Sequence, residues 1–270
     1  MAKRYVIGDI HGAYKALIQV LNKVGFDYDN DELIGLGDVC DGWPEVKECI
    51  DELLKIKKFT NLRGNHDEWS LQFYKKEMKQ GPYGAWFEQG GEATLKSLGK
   101  NPEDIDPKYL KFLEEGKLYH IIDDNTKFFA HAGPPHVAIK LDLADDYHFL
   151  WPRDKIKHAF NNKDKENGML SDGRWEEIYV GHTPTIGFGR EYDTPQKWQN
   201  FWAMDTGATY DGSLSIMDID SKEYTQSTQC WLLYPEHRGR NKTTFNAWKE
   251  ENTELYKRWL LGLSNPLDEI

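Results

Sequence analysis

Cysteine is scarce in this sequence. Cys40, Cys49 and Cys230 are the only three in 270 residues, and no two form a CxxC pair. That excludes a disulfide framework. Long apolar runs are missing too, and none approaches the ~20 residues of a membrane span. The opening Met1-Ala2-Lys3-Arg4 runs straight into Tyr5-Val6-Ile7, too short an apolar stretch for a signal peptide. Basic charge is in deficit, with 34 Lys and Arg against 45 Asp and Glu and a net charge of -11. An extended nucleic-acid footprint needs a basic face, so that class is excluded, although cations at one local site can still bind a phosphate. Internal repeats and low-complexity tracts are also absent. The expectation is a soluble, cytoplasmic protein with one sizeable core and no membrane partner; its oligomeric state is left open.

What is present is a set of short apolar runs, each closed by a polar, glycine-flanked turn. Arg4-Tyr5-Val6-Ile7 reads as a strand ending in Gly8-Asp9-Ile10-His11-Gly12. Tyr14, Leu17, Ile18, Leu21 and Val24 then give one helical stripe, stopped by Gly25. Leu33-Ile34-Gly35-Leu36 leads into Gly37-Asp38-Val39-Cys40-Asp41, and Pro44, Val46, Ile50 and Leu53 suit a second helix. Phe59-Thr60-Asn61-Leu62 ends in Arg63-Gly64-Asn65-His66-Asp67. This alternation predicts parallel strands joined by crossover helices, with all three turns at one sheet edge.

Further on, residues 68–118 read as a helical insert broken by glycines. Tyr119–Ile122 and Lys127–Ala130 form an expected hairpin ending in His131-Ala132-Gly133, and Ile178-Tyr179-Val180 ends in Gly181-His182-Thr183. Residues 201–204, 214–217 and 230–233 read as later strands, 161–173 as an exposed loop and 244–261 as a docking helix. The ten Trp and fourteen Tyr mostly fill core or rim, with a few available to stack on a ligand.

The strand ends collect Asp9, His11, Asp38, Asp41, Asn65, His66, His131 and His182. Carboxylate, imidazole and amide oxygen together suit first-row divalent metals. These ordered segments resemble the signature of the calcineurin-like metallophosphoesterases. They are most similar to the phosphoprotein-phosphatase branch, with its bacterial and bacteriophage serine/threonine phosphatases and symmetrical diadenosine tetraphosphate hydrolases. Leu62-Arg63, Gly90-Gly91-Glu92-Ala93-Thr94-Leu95, Leu150-Trp151-Pro152-Arg153 and Asp205-Thr206-Gly207 extend the similarity, which spans about Arg4 to Asp218.

The resemblance implies an α/β (α+β type, four-layer) fold: a central β-sandwich of mixed sheets flanked by helices, with a helical insert. It implies a catalytic domain over 1–220, with a C-terminal strand and docking helix over 221–270 packed on it. Two divalent metal ions are implied, Mn²⁺ first and Fe or Zn as alternatives. Asp9 and His11 would hold one, Asp38 would bridge, and Asn65, His131 and His182 would hold the other. His66 would protonate the leaving group, oriented by Asp41. Arg63, Arg153 and Asn65 would bind substrate, a phosphorylated protein or a small phosphorylated or nucleotide molecule. The reaction would be attack on a phosphomonoester by a metal-bridging hydroxide. The alternatives are hydrolysis of diadenosine tetraphosphate or another nucleotide, and a non-catalytic metal-binding scaffold. Two positions depart from the pattern. Gly42-Trp43 stands where the family carries Arg-Gly after the aspartate, removing one phosphate-binding arginine, and Asp67 replaces a glutamate.

Overall fold

The computed structural model describes residues 2–165, 173–237 and 239–240. Two five-stranded mixed sheets face each other. The first contains β1 (Arg4–Ile7), β2 (Glu32–Gly35), β3 (Lys58–Asn61), β9 (Ser215–Asp218) and β10 (Tyr224–Gln226). Its order is β10-β9-β1-β2-β3, parallel from β1 to β3 and antiparallel at β9 and β10. The second contains β4 (Tyr119–Ile122), β5 (Lys127–Ala130), β6 (Glu177–Val180), β7 (Gln196–Trp198) and β8 (Phe201–Ala203). There β5, β6 and β8 are parallel, in the order β4-β5-β6-β8-β7.

Strand alternation sorts the core into layers. Val6, Ile34, Phe129, Tyr179 and Met217 point between the sheets, where the Phe129 and Tyr179 rings stack at 4.5 Å. Their neighbours Phe128, Ile178 and Phe201 face the other way, onto Ile156 and Ala159 of α8 (Asp154–Asn161) and Phe149 of α7 (Tyr147–Leu150). The outer face of the first sheet packs on α1 (Tyr14–Val24) and α2 (Val46–Leu53), and its core continues into the insert. Gly25 ends α1 at φ 62°, where its N–H and that of Phe26 cap the Asn22 and Leu21 carbonyls.

The insert is helical, as expected: α3 (Asn65–Tyr74), α4 (Gln80–Trp86), α5 (Glu92–Leu98) and α6 (Pro107–Glu114). Gly90, at φ 109°, breaks the chain between α4 and α5. The strand expected over Cys230–Leu233 is instead a short helix, α9. Four apolar residues are too few for periodicity to decide, and the Cys230 N–H bonds the Gly212 carbonyl rather than a strand neighbour. The added strands are β7 and β10, whose polar, short sequences carry no alternation signal. The expected docking helix over 244–261 lies outside the described residues, as does most of the 161–173 loop.

All six parallel strands run the same functional way. Asp9, the Asp38 and Asp41 turn and Asn65 follow β1, β2 and β3, while His131, His182 and Asp205 follow β5, β6 and β8. The two sheets thus deliver their strand ends to one edge of the sandwich.

Candidate active site

The turns that hold the site depart from ordinary backbone. His11, Asp38, Asp41 and His182 have φ of 51°, 51°, 70° and 65°. Such left-handed positions cost of order 1–3 kcal/mol each off glycine and persist only where surrounding bonds dictate them. Here the Ile10 and His11 N–H groups both bond the Asp38 carbonyl, at 3.1 and 2.8 Å. The Asp38 carboxylate accepts the His66 N–H at 2.9 Å, and Asp9 accepts the His182 N–H at 3.0 Å. Gly64 and Gly181 are needed for these approaches: a Cβ at either would overlap the Asp38 or Asp9 carboxylate oxygen.

Two clusters share one carboxylate. Ligand atoms of Asp9, His11 and Asp38 lie within 4.8 Å of one another, and so do those of Asp38, His131 and His182. Asp38 Oδ2 is 3.6 Å from His11 Nε2 and 3.3 Å from His131 Nε2. Asn65 Oδ1 is 3.0 Å from His131 Nε2, and His182 Nδ1 is 3.1 Å from it. Each imidazole is oriented from behind. His11 Nδ1 donates to the Cys40 carbonyl (2.9 Å), His131 Nδ1 to the Leu36 carbonyl (2.8 Å) and His182 Nε2 to the Trp151 carbonyl (3.0 Å). A carbonyl only accepts, so the neutral ring turns its other nitrogen's lone pair into the cluster, the usual way a metal-ligating histidine is fixed.

The electrostatics ask for cations. Burial, then Asp205 and Asp38, pushes the Asp9 carboxyl well up. Burial also acts to raise Asp38, but the imidazoles of His131, His66 and His11 outweigh it and hold the group well below the usual carboxylate range. Burial works to lower His131, yet Asp38 draws it up. No Lys or Arg side chain ion-pairs with Asp9, Asp38, Asp67 or Asp205 among the described residues. A buried, mixed oxygen and nitrogen donor set with surplus carboxylate charge fits two divalent cations sharing Asp38.

Beside the clusters, His66 Nδ1 is 2.6 Å from Asp41 Oδ2, and its ring meets that of His11 edge-on at 5.0 Å. Asp41 is held by the Trp86 Nε1–H at 2.9 Å and the Thr94 hydroxyl at 2.6 Å. Burial, opposed by Asp38 and reinforced by Arg240, lowers His66 to about 3, so the free protein keeps this ring neutral.

A family model for calcineurin-like phosphoesterases matches residues 2–210. The chain belongs to this family. It is 28% identical over 219 residues to serine/threonine-protein phosphatase 2 of Escherichia coli K12, covering 80% of this chain and 92% of that one. It is 25% identical over 239 residues to the asymmetrical bis(5'-nucleosyl)-tetraphosphatase PrpE of Anoxybacillus flavithermus, covering 81% and 91%. A crystal structure of a candidate diadenosine tetraphosphatase superposes with a TM-score of 0.60 at 19% identity, covering 83% of this chain and 92% of that chain.

The other residues singled out in this phosphoesterase divide. Arg153 lies at the site, its Nη2 donating to the His182 carbonyl at 3.2 Å. Arg63 is turned to Glu68 at 3.0 Å and to the Glu114 carbonyl at 3.0 Å, a rim ion pair with no bond to either cluster. Asp67 clamps two motifs, accepting the Val39 and Cys40 N–H groups at 2.9 and 3.0 Å and that of Gly64 at 2.9 Å. Cys40 and Trp43 are buried rather than exposed to the site. One participant was missed. Arg240 Nη1 lies 3.0 Å from His66 Nε2; it stands in no motif, and nothing local in the sequence marks it.

Proposed function

We propose that this phosphoesterase hydrolyses phosphomonoesters, on phosphoserine or phosphothreonine peptides or on small phosphorylated molecules, as a cytoplasmic enzyme. Residues 1–220 would form its catalytic domain, with 221–270 packed on it. The observation that carries the reading is the pair of clusters sharing Asp38, with His66 standing 5.0 Å, ring to ring, from His11.

Asp9, His11 and Asp38 would hold one metal ion, and Asp38, Asn65, His131 and His182 the other, with Mn²⁺ first and Fe or Zn as alternatives. When bound, such a pair supplies Lewis acidity and acidifies a water for in-line attack on phosphorus. The chain itself supplies the rest. Arg153 and Asn65, with Arg63 at the rim, would bind the phosphoryl oxygens. Asp41, fixed by Trp86 and Thr94, orients His66 through Nδ1 and leaves Nε2 for the leaving group. A phosphate dianion next to His66 brings the negative charge that favours imidazolium against burial. The ring then takes a proton from solvent and gives it to the departing alkoxide.

A second reading has support of its own. The half-buried rings of Trp69 and Trp151 meet at 4.9 Å, and Trp69 lies 5.1 Å from His66. A nucleobase could stack there, which favours a dinucleoside polyphosphate. The deciding experiment compares a phosphoserine peptide with diadenosine tetraphosphate at equal Mn²⁺. Faster release of phosphate from the peptide supports the first reading, and faster cleavage of the dinucleotide supports the second. Turnover of neither would leave a metal-binding scaffold as the reading.

A further inference from the structure

We propose that Arg240 is the guanidinium that grips the substrate's phosphoryl group, delivered by the segment following α9. The inference rests on the phosphoester reading of this site and goes beyond it by adding a residue distant from every motif.

The segment after Asp41 leaves no room for an arginine of its own. Gly42 sits at φ 97°, and a Cβ there would meet Thr209 Oγ1 at 2.9 Å and His11 Cβ at 3.3 Å. Trp43, fully buried, instead makes a floor. Its Nε1–H donates to the Ala208 carbonyl at 2.8 Å, and its ring stacks on Tyr234 at 5.0 Å and 19°. Gly239 then crosses that floor at φ 52°, so close that a Cβ would lie 2.7 Å from Trp43 Cζ2. The Arg240 N–H anchors to the Thr209 carbonyl at 3.0 Å. Each contact serves to bring one side chain back to the strand ends.

That side chain is a half-buried cation with no carboxylate partner among the described residues. Nη1 donates to His66 Nε2 at 3.0 Å, Nη2 donates to Gln89 Oε1 at 2.7 Å, and the guanidinium lies 5.3 Å from the Tyr210 ring centroid. All three partners are neutral. Because arginine can only donate, His66 Nε2 must be the acceptor, which puts the ring proton on Nδ1, facing Asp41. A phosphoryl dianion offers a stronger, charge-assisted partner for the same fork.

The test uses the full chain with Mn²⁺, comparing wild type with Arg240→Gln and Arg240→Lys. Readouts are kcat/KM on an aryl phosphomonoester and an aryl phosphodiester, and the inhibition constant of inorganic phosphate with its binding followed by calorimetry. Arg240→Gln should lose roughly 10- to 10²-fold in monoester kcat/KM, the factor expected for a hydrogen bond to a charged group. Phosphate binding should weaken by a similar factor, the diester should suffer less, and Lys should restore part of each. Metal content and Tm should stay near wild type. An active wild type with Arg240→Gln within twofold of it on the monoester and on phosphate binding would overturn the proposal. If the Gln variant unfolds, a second neutral variant, Arg240→Met, decides: wild-type phosphate binding by it also overturns the proposal. A wild type that hydrolyses neither ester would refute the phosphoester reading instead, while the phosphate-binding comparison would still judge Arg240.

Discussion

Gly64→Ala isolates the geometry of the shared carboxylate from the chemistry of its neighbours. Gly64 has φ −96° and ψ 172°, an extended conformation open to any residue, so no backbone strain is introduced. The cost is contact. A Cβ would lie 2.1 Å from Asp38 Oδ1 and 2.3 Å from the Asp38 backbone nitrogen, and backbone on either side is pinned by Asp67. Rotation of the carboxylate cannot clear the backbone nitrogen, so the Asp38 turn should shift as well, carrying the carboxylate away from its 3.3 and 3.6 Å approaches to His131 and His11. Overpacking of this kind costs about 1–3 kcal/mol, and misplacement approaching 1 Å costs roughly 10²-fold in rate. The assay is metal content by elemental analysis after desalting, together with kcat on an aryl phosphomonoester and Tm. The variant should stay folded, retain less than two metals per chain and lose about 10- to 10²-fold in kcat. Full metal loading with wild-type kcat would refute the claim that Gly64 is required by the approach of Asp38.

Three other perturbations probe separate parts of the account. His66→Asn should keep its metals but lose roughly 10²- to 10⁴-fold on an alkyl phosphate, whose leaving group needs a proton; the loss should shrink on an aryl phosphate, and steady-state kinetics on both esters checks it. Asp67→Ala strands the buried N–H groups of Val39, Cys40 and Gly64 and should cost about 3 kcal/mol in urea unfolding, accompanied by weaker metal retention. Asp123→Asn tests a tie between the sheets, since the turn of the β4–β5 hairpin pairs with Arg4 of β1 at 2.6 Å. The Arg4 hydrogen bond, opposed by burial and helped by Lys127, depresses the Asp123 carboxyl to about 2, against ~3.9 unfolded. A depressed folded-state value stabilises above the unfolded one and fades as pH falls toward 2. The variant should therefore be less stable by about 1 kcal/mol, discounted for exposure, at pH 5 to 7, with the difference closing below pH 4 in denaturant titrations.

Much of the site was legible because its logic is local. A short apolar strand stops, a glycine lets the chain turn and a polar side chain follows; Asp9, Asp38, Asn65 and His182 all arise that way, and His131 follows its strand directly. The parallel direction of six strands then assembles them without further instruction. What escaped depends on contacts distant in sequence. Arg240 meets His66 across 174 positions, and only the docking of Gly239 on Trp43 brings it there. The Gly42-Trp43 departure was visible, but its consequence was not, because stacking on Tyr234 is a tertiary event. The Arg63 pairing with Glu68 is likewise a contact that adjacency to a motif does not disclose. Cys230–Leu233 read as a strand because four apolar residues carry no period.

The most direct measurement of the central claim is turnover of an aryl phosphomonoester and an aryl phosphodiester by metal-stripped protein, before and after adding Mn²⁺. The account predicts no activity in the stripped protein, recovery with close to two metal ions per chain, and preference for the monoester. Turnover that survives metal removal, or no turnover of either ester with both metal sites filled, would contradict it.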